Sequence, residues 1–79
     1  MDMKDQTIQE VVLNDEFIEL CKLLKLADLV ASGGEAKWVI ANGRVRVNDQ
    51  VETQKRRKIR IGDEVVFDGV KILPLKTLN

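Results

Sequence analysis

Ser32-Gly33-Gly34-Glu35-Ala36-Lys37-Trp38-Val39-Ile40-Ala41-Asn42-Gly43-Arg44-Val45-Arg46-Val47-Asn48 contains a helix start, a helix stop and a change of period within seventeen residues. Ser32 with Glu35 three positions on has the capping-box form: the hydroxyl accepts from a first-turn amide and the Glu carboxylate reaches back to the Ser32 amide. Ala36, Val39 and Ile40 recur at helical spacing and give one buried face, and Asn42-Gly43 supplies a left-handed stop, so the stretch predicts a helix over 33–42. Past Gly43 the period falls to two, with Val45 and Val47 on one side and Arg44 and Arg46 on the other. Trp38 lies off the 36, 39, 40 stripe and has two readings. The favoured one leans it on the sheet as core, and the other leaves it partly exposed where a base can stack.

Upstream, 7–13 is rich in β-branched residues and predicts a first strand. Asn14 reads as a helix cap, Asp15 and Glu16 suit the positive end of a helix dipole, and Phe17, Leu20, Cys21 and Leu24 fall at helical spacing. A helix over 15–25 follows. The connector 26–31 is apolar enough to drop Leu29 and Val30 into the core. Downstream, Asn48-Asp49 predicts a tight turn into a short strand at 51–53, and Lys58 to Ile61 alternate as another strand. Gly62-Asp63 turns the chain into Val65-Val66-Phe67. Asp68-Gly69 is a strong hairpin signal into 70–73, and Pro74 ends the run. The expected fold class is α+β: two short helices packed on a small, mostly antiparallel sheet, in one domain over 1–79.

Net charge is zero, but residues 1–35 hold three basic against eight acidic residues, net −5, whereas 36–79 hold ten against five, net +5. A polyanion responds to that local field rather than to the sum. There is no His and only Cys21, which excludes an internal disulfide, a zinc site and a Cys–His nucleophile. Cys21 on the apolar stripe reads as a structural thiol. Ser32 has no base beside it and its cap explains it. Glycines 33 and 34 fall short of a nucleotide-binding loop, so no metal, cofactor or small-molecule substrate is expected and the chain is not read as an enzyme. The N-terminus lacks the build of a signal peptide and no apolar run reaches membrane-span length, so a cytoplasmic protein is the expectation.

The densest charge run is Lys55-Arg56-Arg57-Lys58 with Arg60. Read alone it is a solvated loop. With Arg44 and Arg46 on one strand face, Lys58 and Arg60 on another, and Lys37 one turn into a helix whose start at Ser32 presents free amides, about 6–8 cations form one phosphate-binding patch if the faces coincide.

Leu23-Leu24-Lys25, Ala31 to Lys37, Ile40, Gly43 to Asn48, Val51-Glu52, Arg57-Lys58-Ile59 and Gly62-Asp63 together resemble the RNA-binding domain named after small-subunit ribosomal protein S-four. The resemblance covers about 17–67, and within that family the chain is similar to the small stand-alone bacterial proteins of the YbcJ type. It implies the αL motif, in which two helices and a hairpin form an L whose concave side meets structured RNA. Ser32, Lys37, Gly43, Val45, Val47 and Asn48 fall on motif positions, the valines and Gly43 being architectural. Ribosomal members carry Arg where this chain has Gly33 and Arg-Leu-Asp where it reads Ile18-Glu19-Leu20, and Asp49 replaces a turn Gly. These departures place more of the binding on residues 55–60. The expectation is a monomeric, ribosome-associated module that binds ribosomal or transfer RNA through Ser32, Lys37, Arg44, Arg46, Lys55, Arg56, Arg57, Lys58 and Arg60. The alternative is a protein-interaction adapter whose basic strip docks an acidic partner.

Overall fold

A computed structural model describes residues 7–77, so the leader reading at residues 1–5 lies outside the described residues. Strands β1 (Thr7–Leu13), β7 (Val70–Lys76), β6 (Val65–Phe67), β3 (Val45–Val47) and β4 (Gln50–Val51) lie in that order in one sheet. Strand β1 pairs parallel to β7 and every other pair is antiparallel. A separate two-stranded ladder joins β2 (Phe17–Glu19) to β5 (Lys58–Arg60). The helices are α1 (Leu20–Leu26) and α2 (Gly33–Ala41). The expected α+β architecture is thus present, with one parallel edge.

Period-two patterning explains the sheet. Val45 and Val47 are buried while Arg46 between them is exposed, and Val11, Leu13, Val65, Phe67 and Ile72 face the same core. Leu20, Leu23 and Leu24 of α1, Ala36, Val39 and Ile40 of α2, and Ile59 of β5 complete one continuous buried cluster. Burying a Leu or Ile side chain contributes roughly 1.5–3 kcal/mol, and Leu20, Leu24, Ile40, Ile59 and Ile72 are wholly covered. Both predicted tight turns adopt the positive φ pair that suits a twisted hairpin: Asn48 and Asp49 at 52° and 71°, Asp68 and Gly69 at 54° and 78°.

Three expectations are corrected. The first helix begins at Leu20, not at residue 15: Phe17 to Glu19 are extended and pair with β5, because Phe17 and Ile18 suit a pleated edge and a partner strand is at hand. Asn14 is no helix cap; its side-chain oxygen accepts from the Thr77 hydroxyl at 2.9 Å, beside the end of β7. Pro74 does not end the last strand. Residues flanking a two-residue hairpin exchange both bonds, so Val70, Ile72 and Pro74 direct their nitrogens toward β6, and Pro74 lies past the end of β6, where no donor is needed. The strand therefore runs on beside β1 to Lys76.

Candidate nucleic-acid interface

The start of α1 is where the basic run is fixed. Glu19 at the N-cap makes no side-chain cap bond. Instead the Leu20 amide donates to the Arg57 carbonyl at 2.9 Å and the Cys21 amide to the Lys55 carbonyl at 3.0 Å. Two of the helix's orphan donors are thus satisfied by the backbone of the basic loop, which turns the side chains of Lys55 and Arg56 outward into solvent. The chain then enters β5, where Ile59 is buried and Lys58 and Arg60 flank it exposed. Across the ladder, Phe17 lies opposite Arg60 and carries both cations: Lys58 Nζ is 4.8 Å and Arg60 Cζ 5.6 Å from its ring centroid. The sequence counted Phe17 as helical core. Its signal, an aromatic before a β-branched residue opposite a Lys-Ile-Arg strand, is legible only once the pairing is known.

Arg57 differs from its neighbours. Its Nη1 donates to Glu52 Oε1 at 2.6 Å, and Glu52 is mostly covered. Burial pushes the Glu52 carboxyl up, but the Gln54 amide and the Arg57 guanidinium outweigh it and hold the group below its ordinary value. Arg57 is therefore compensated in place and braces the loop. Among the described residues, neither Lys55, Arg56, Lys58 nor Arg60 is ion-paired. A second brace joins the turns: Asn48 Nδ2 donates to Asp63 Oδ1 at 3.0 Å, Asn48 Oδ1 accepts from the Glu64 amide at 2.9 Å, and Asp63 Oδ2 accepts from the Arg60 amide at 2.8 Å. Burial pushes Asp63 up, yet these bonds and the nearby Arg57 and Arg60 charges leave it lowered.

The remaining candidates do not all share one face. Arg46 stands exposed between its cross-strand neighbours Val51 and Val66, on the side of the sheet away from the buried Val45 and Val47. Arg44 precedes β3, and its guanidinium lies 5.2 Å from the Trp38 ring centroid on α2. Lys58 and Arg60 belong to the smaller ladder rather than to the sheet of Arg46. Lys37 is exposed on α2. Ser32 Oγ accepts from the Glu35 amide at 3.1 Å, as expected, whereas Glu35 Oε1 accepts from the Ala31 amide at 2.7 Å rather than from that of Ser32. The Glu35 carboxylate thereby brings negative charge to the helix start where a phosphate was expected. Trp38 is 55% exposed, so the core reading of this residue is corrected. Its off-stripe position was the signal.

Among the described residues no group of three or more His, Cys, Asp or Glu could hold a metal. The cleft beside Arg60 is rimmed by Asp15 and Glu16 as well as by Lys76, opposed charges that leave no net field for an anion.

Comparison with known proteins gives the family and the fold. RlbA of Bacillus subtilis, named "Probable ribosome maturation protein", is 41% identical over 59 residues, 75% of this chain and 83% of that protein. YbcJ of Escherichia coli is 52% identical over 52 residues, 66% of this chain and 74% of its own length. The solution structure of E. coli YbcJ, described as revealing an αL motif involved in RNA-binding, superposes with a TM-score of 0.63 at 37% identity, covering 95% of this chain and 94% of that one. A tyrosine–tRNA ligase of Rhizobium meliloti shares 46% identity over 56 residues that make up 13% of the enzyme, so what is common there is a module and not its chemistry. The family profile described as S4 domain matches residues 11–73, which takes in β2 to β6, both helices, the braced basic loop and parts of β1 and β7; the chain belongs to the S4 domain family.

Proposed function

We propose that this chain is a binding module for structured RNA, ribosomal or transfer RNA, which it grips by backbone phosphates through Lys55, Arg56, Lys58 and Arg60. Lys37, Arg44 and Arg46 act as flanking contacts, and Arg57 and Ser32 act chiefly as braces. The observation that carries the reading is the pair of bonds from the Leu20 and Cys21 amides to the carbonyls of Arg57 and Lys55. They hold a run of cations in one geometry instead of leaving it a mobile tail, which lowers the entropy lost when RNA docks. Duplex RNA has a deep major groove that side chains cannot enter, so a small basic surface without a groove-filling element reads shape and backbone. The αL description of YbcJ supports RNA as the partner, and the name of RlbA supports a ribosomal one.

Fluorescence anisotropy of a labelled RNA hairpin across a salt series tests the proposal. Phosphate-driven binding gives a steep fall of log affinity with log salt, roughly one unit of slope per contact. Arg56→Ala combined with Lys55→Ala should weaken all hairpins about equally and flatten the slope by about two. A nearly flat plot for the unaltered protein would reject the reading.

A further inference from the structure

Trp38 is the largest apolar side chain in the protein, yet it stands more than half exposed on α2 with a guanidinium laid over it. Burying an indole is worth several times what an exposed cation–π pair returns, about 0.5–1 kcal/mol, so folding alone does not account for leaving this ring in water. The ring lines an open cleft of about 500 Å³ together with Val39 and Phe67. Arg44, Glu35 and Asp68 line the same cleft. Those two carboxylates repel a phosphate, which separates this cleft from the basic loop. They are also acceptors with no proton to give, and suit a flat, neutral partner carrying N–H groups on its edge.

The geometry points to a stacking site for one unpaired nucleobase: the base takes the place of the Arg44 guanidinium on the Trp38 indole, with Arg44 moved to its edge, and presents an amino edge to Asp68 or Glu35. This deepens the RNA-binding reading and rests on it. Aromatic and guanidinium planes are the surfaces on which splayed RNA bases are held, and carboxylates accept from exocyclic amines. Guanine, with adjacent N–H and NH₂ donors that one carboxylate can accept together, fits better than uracil, which offers a single N–H. The basic loop then supplies affinity for any structured RNA, and the Trp38 cleft selects RNA with a base out of the helix.

Trp38 is the single Trp and the chain has no Tyr, so indole emission reports on this ring alone. The probes are three RNA hairpins with stems of about 16 base pairs closed by a non-nucleotide linker in place of a loop, one fully paired, one with a bulged guanosine and one with a bulged uridine. The bulged-guanosine hairpin should bind tightest and quench Trp38 emission, while the paired hairpin binds through phosphates without quenching. Trp38→Ala should cost roughly five- to 100-fold on the bulged-guanosine hairpin, the span found for removing one stacked base, and leave the paired one unchanged. Trp38→Phe should recover most of the loss. Asp68→Gly, which suits the positive φ at that turn, should erase the preference for guanosine over uridine. An indole unquenched in the saturated bulged complex, or an unchanged affinity of Trp38→Ala for it, overturns the stacking site and leaves phosphate binding standing. Failure of the unaltered protein to bind any hairpin overturns both.

Discussion

Glu52→Gln should make the protein less stable and a better RNA binder. In the folded chain Glu52 accepts from Arg57 at 2.6 Å and from the Gln54 amide at 3.0 Å. Gln keeps the shape but only one acceptor oxygen, so one bond loses its charge assistance and the other is lost outright, its oxygen replaced by a donor amide. An exposed ion pair contributes about 0–1 kcal/mol and a hydrogen bond to a charged group about 1.5–3. With Glu52 at 16% and Arg57 at 40% side-chain exposure, the pair lies between these cases. A cost of about 1 kcal/mol follows, which for a domain of this size lowers Tm by roughly 4–8 °C. The same change releases the Arg57 charge beside Lys55 and Arg56. The salt slope of RNA binding should steepen by about one unit, and affinity at low salt should rise. Urea unfolding followed by circular dichroism gives the first quantity, and hairpin anisotropy across a salt series gives the second. Weaker binding with an unchanged slope would refute the assignment of Arg57 as a brace outside the phosphate contacts.

Acid should loosen both braces. Glu52 and Asp63 titrate lower in the folded chain than their ordinary values of 4.5 and 3.8, so their contribution is whole above that range and is lost as pH falls through the folded values. Urea midpoints measured from pH 6 downward should therefore decline, and less steeply in Glu52→Gln; identical profiles would deny Glu52 a part. Gly43→Ala should cost about 1–2 kcal/mol for an L-residue in the left-handed region: φ is +73°, and the added Cβ would meet Val51 Cγ1 at an ordinary 3.5 Å. A neutral result in thermal melts would show that the turn relaxes.

Most of the fold was legible because local and global preferences agree. The Ser32 cap, the left-handed Gly43, the alternation about Val45 and the Asp68-Gly69 turn each demand one backbone geometry, and each is found. The reading failed where a non-local partner decided. Phe17, Leu20, Cys21 and Leu24 satisfy helical spacing, but the strand offered by Lys58 to Arg60, some forty residues away, claims Phe17 to Glu19. Pro74 reads as a terminator until the length of β6 shows that its missing donor is not wanted. In the candidate site, the cations were visible as residues but their partners were not. That Arg57 is bonded to Glu52 and Arg44 drawn to Trp38 depends on side-chain meetings that no spacing rule encodes.

The capping of α1 by the basic loop ties the proposed recognition surface to folding. Because the carbonyls of Lys55 and Arg57 receive the first helical amides, the loop must sit at the positive end of α1. Four cations within residues 55–58 would there oppose the dipole and one another. Acids of the first half stand nearby without forming ion pairs among the described residues: Glu19 lies opposite Lys58 across the β2–β5 ladder, and Asp15 and Glu16 rim the cleft beside Arg60. Glu52, from the basic half, neutralises the one cation used as a brace. The remaining positive charges are then displayed at little cost to stability, each held by a backbone that the helix itself requires. Removing the loop would uncap α1, so its length and path are constrained by folding while its side chains are left to the proposed RNA contact. The consequence is that substitutions at Lys55 or Arg56 that spare the backbone should change affinity without moving Tm by more than a degree or two, whereas those at Lys58 or Arg60 also give up a contact with Phe17 and should lower Tm as well.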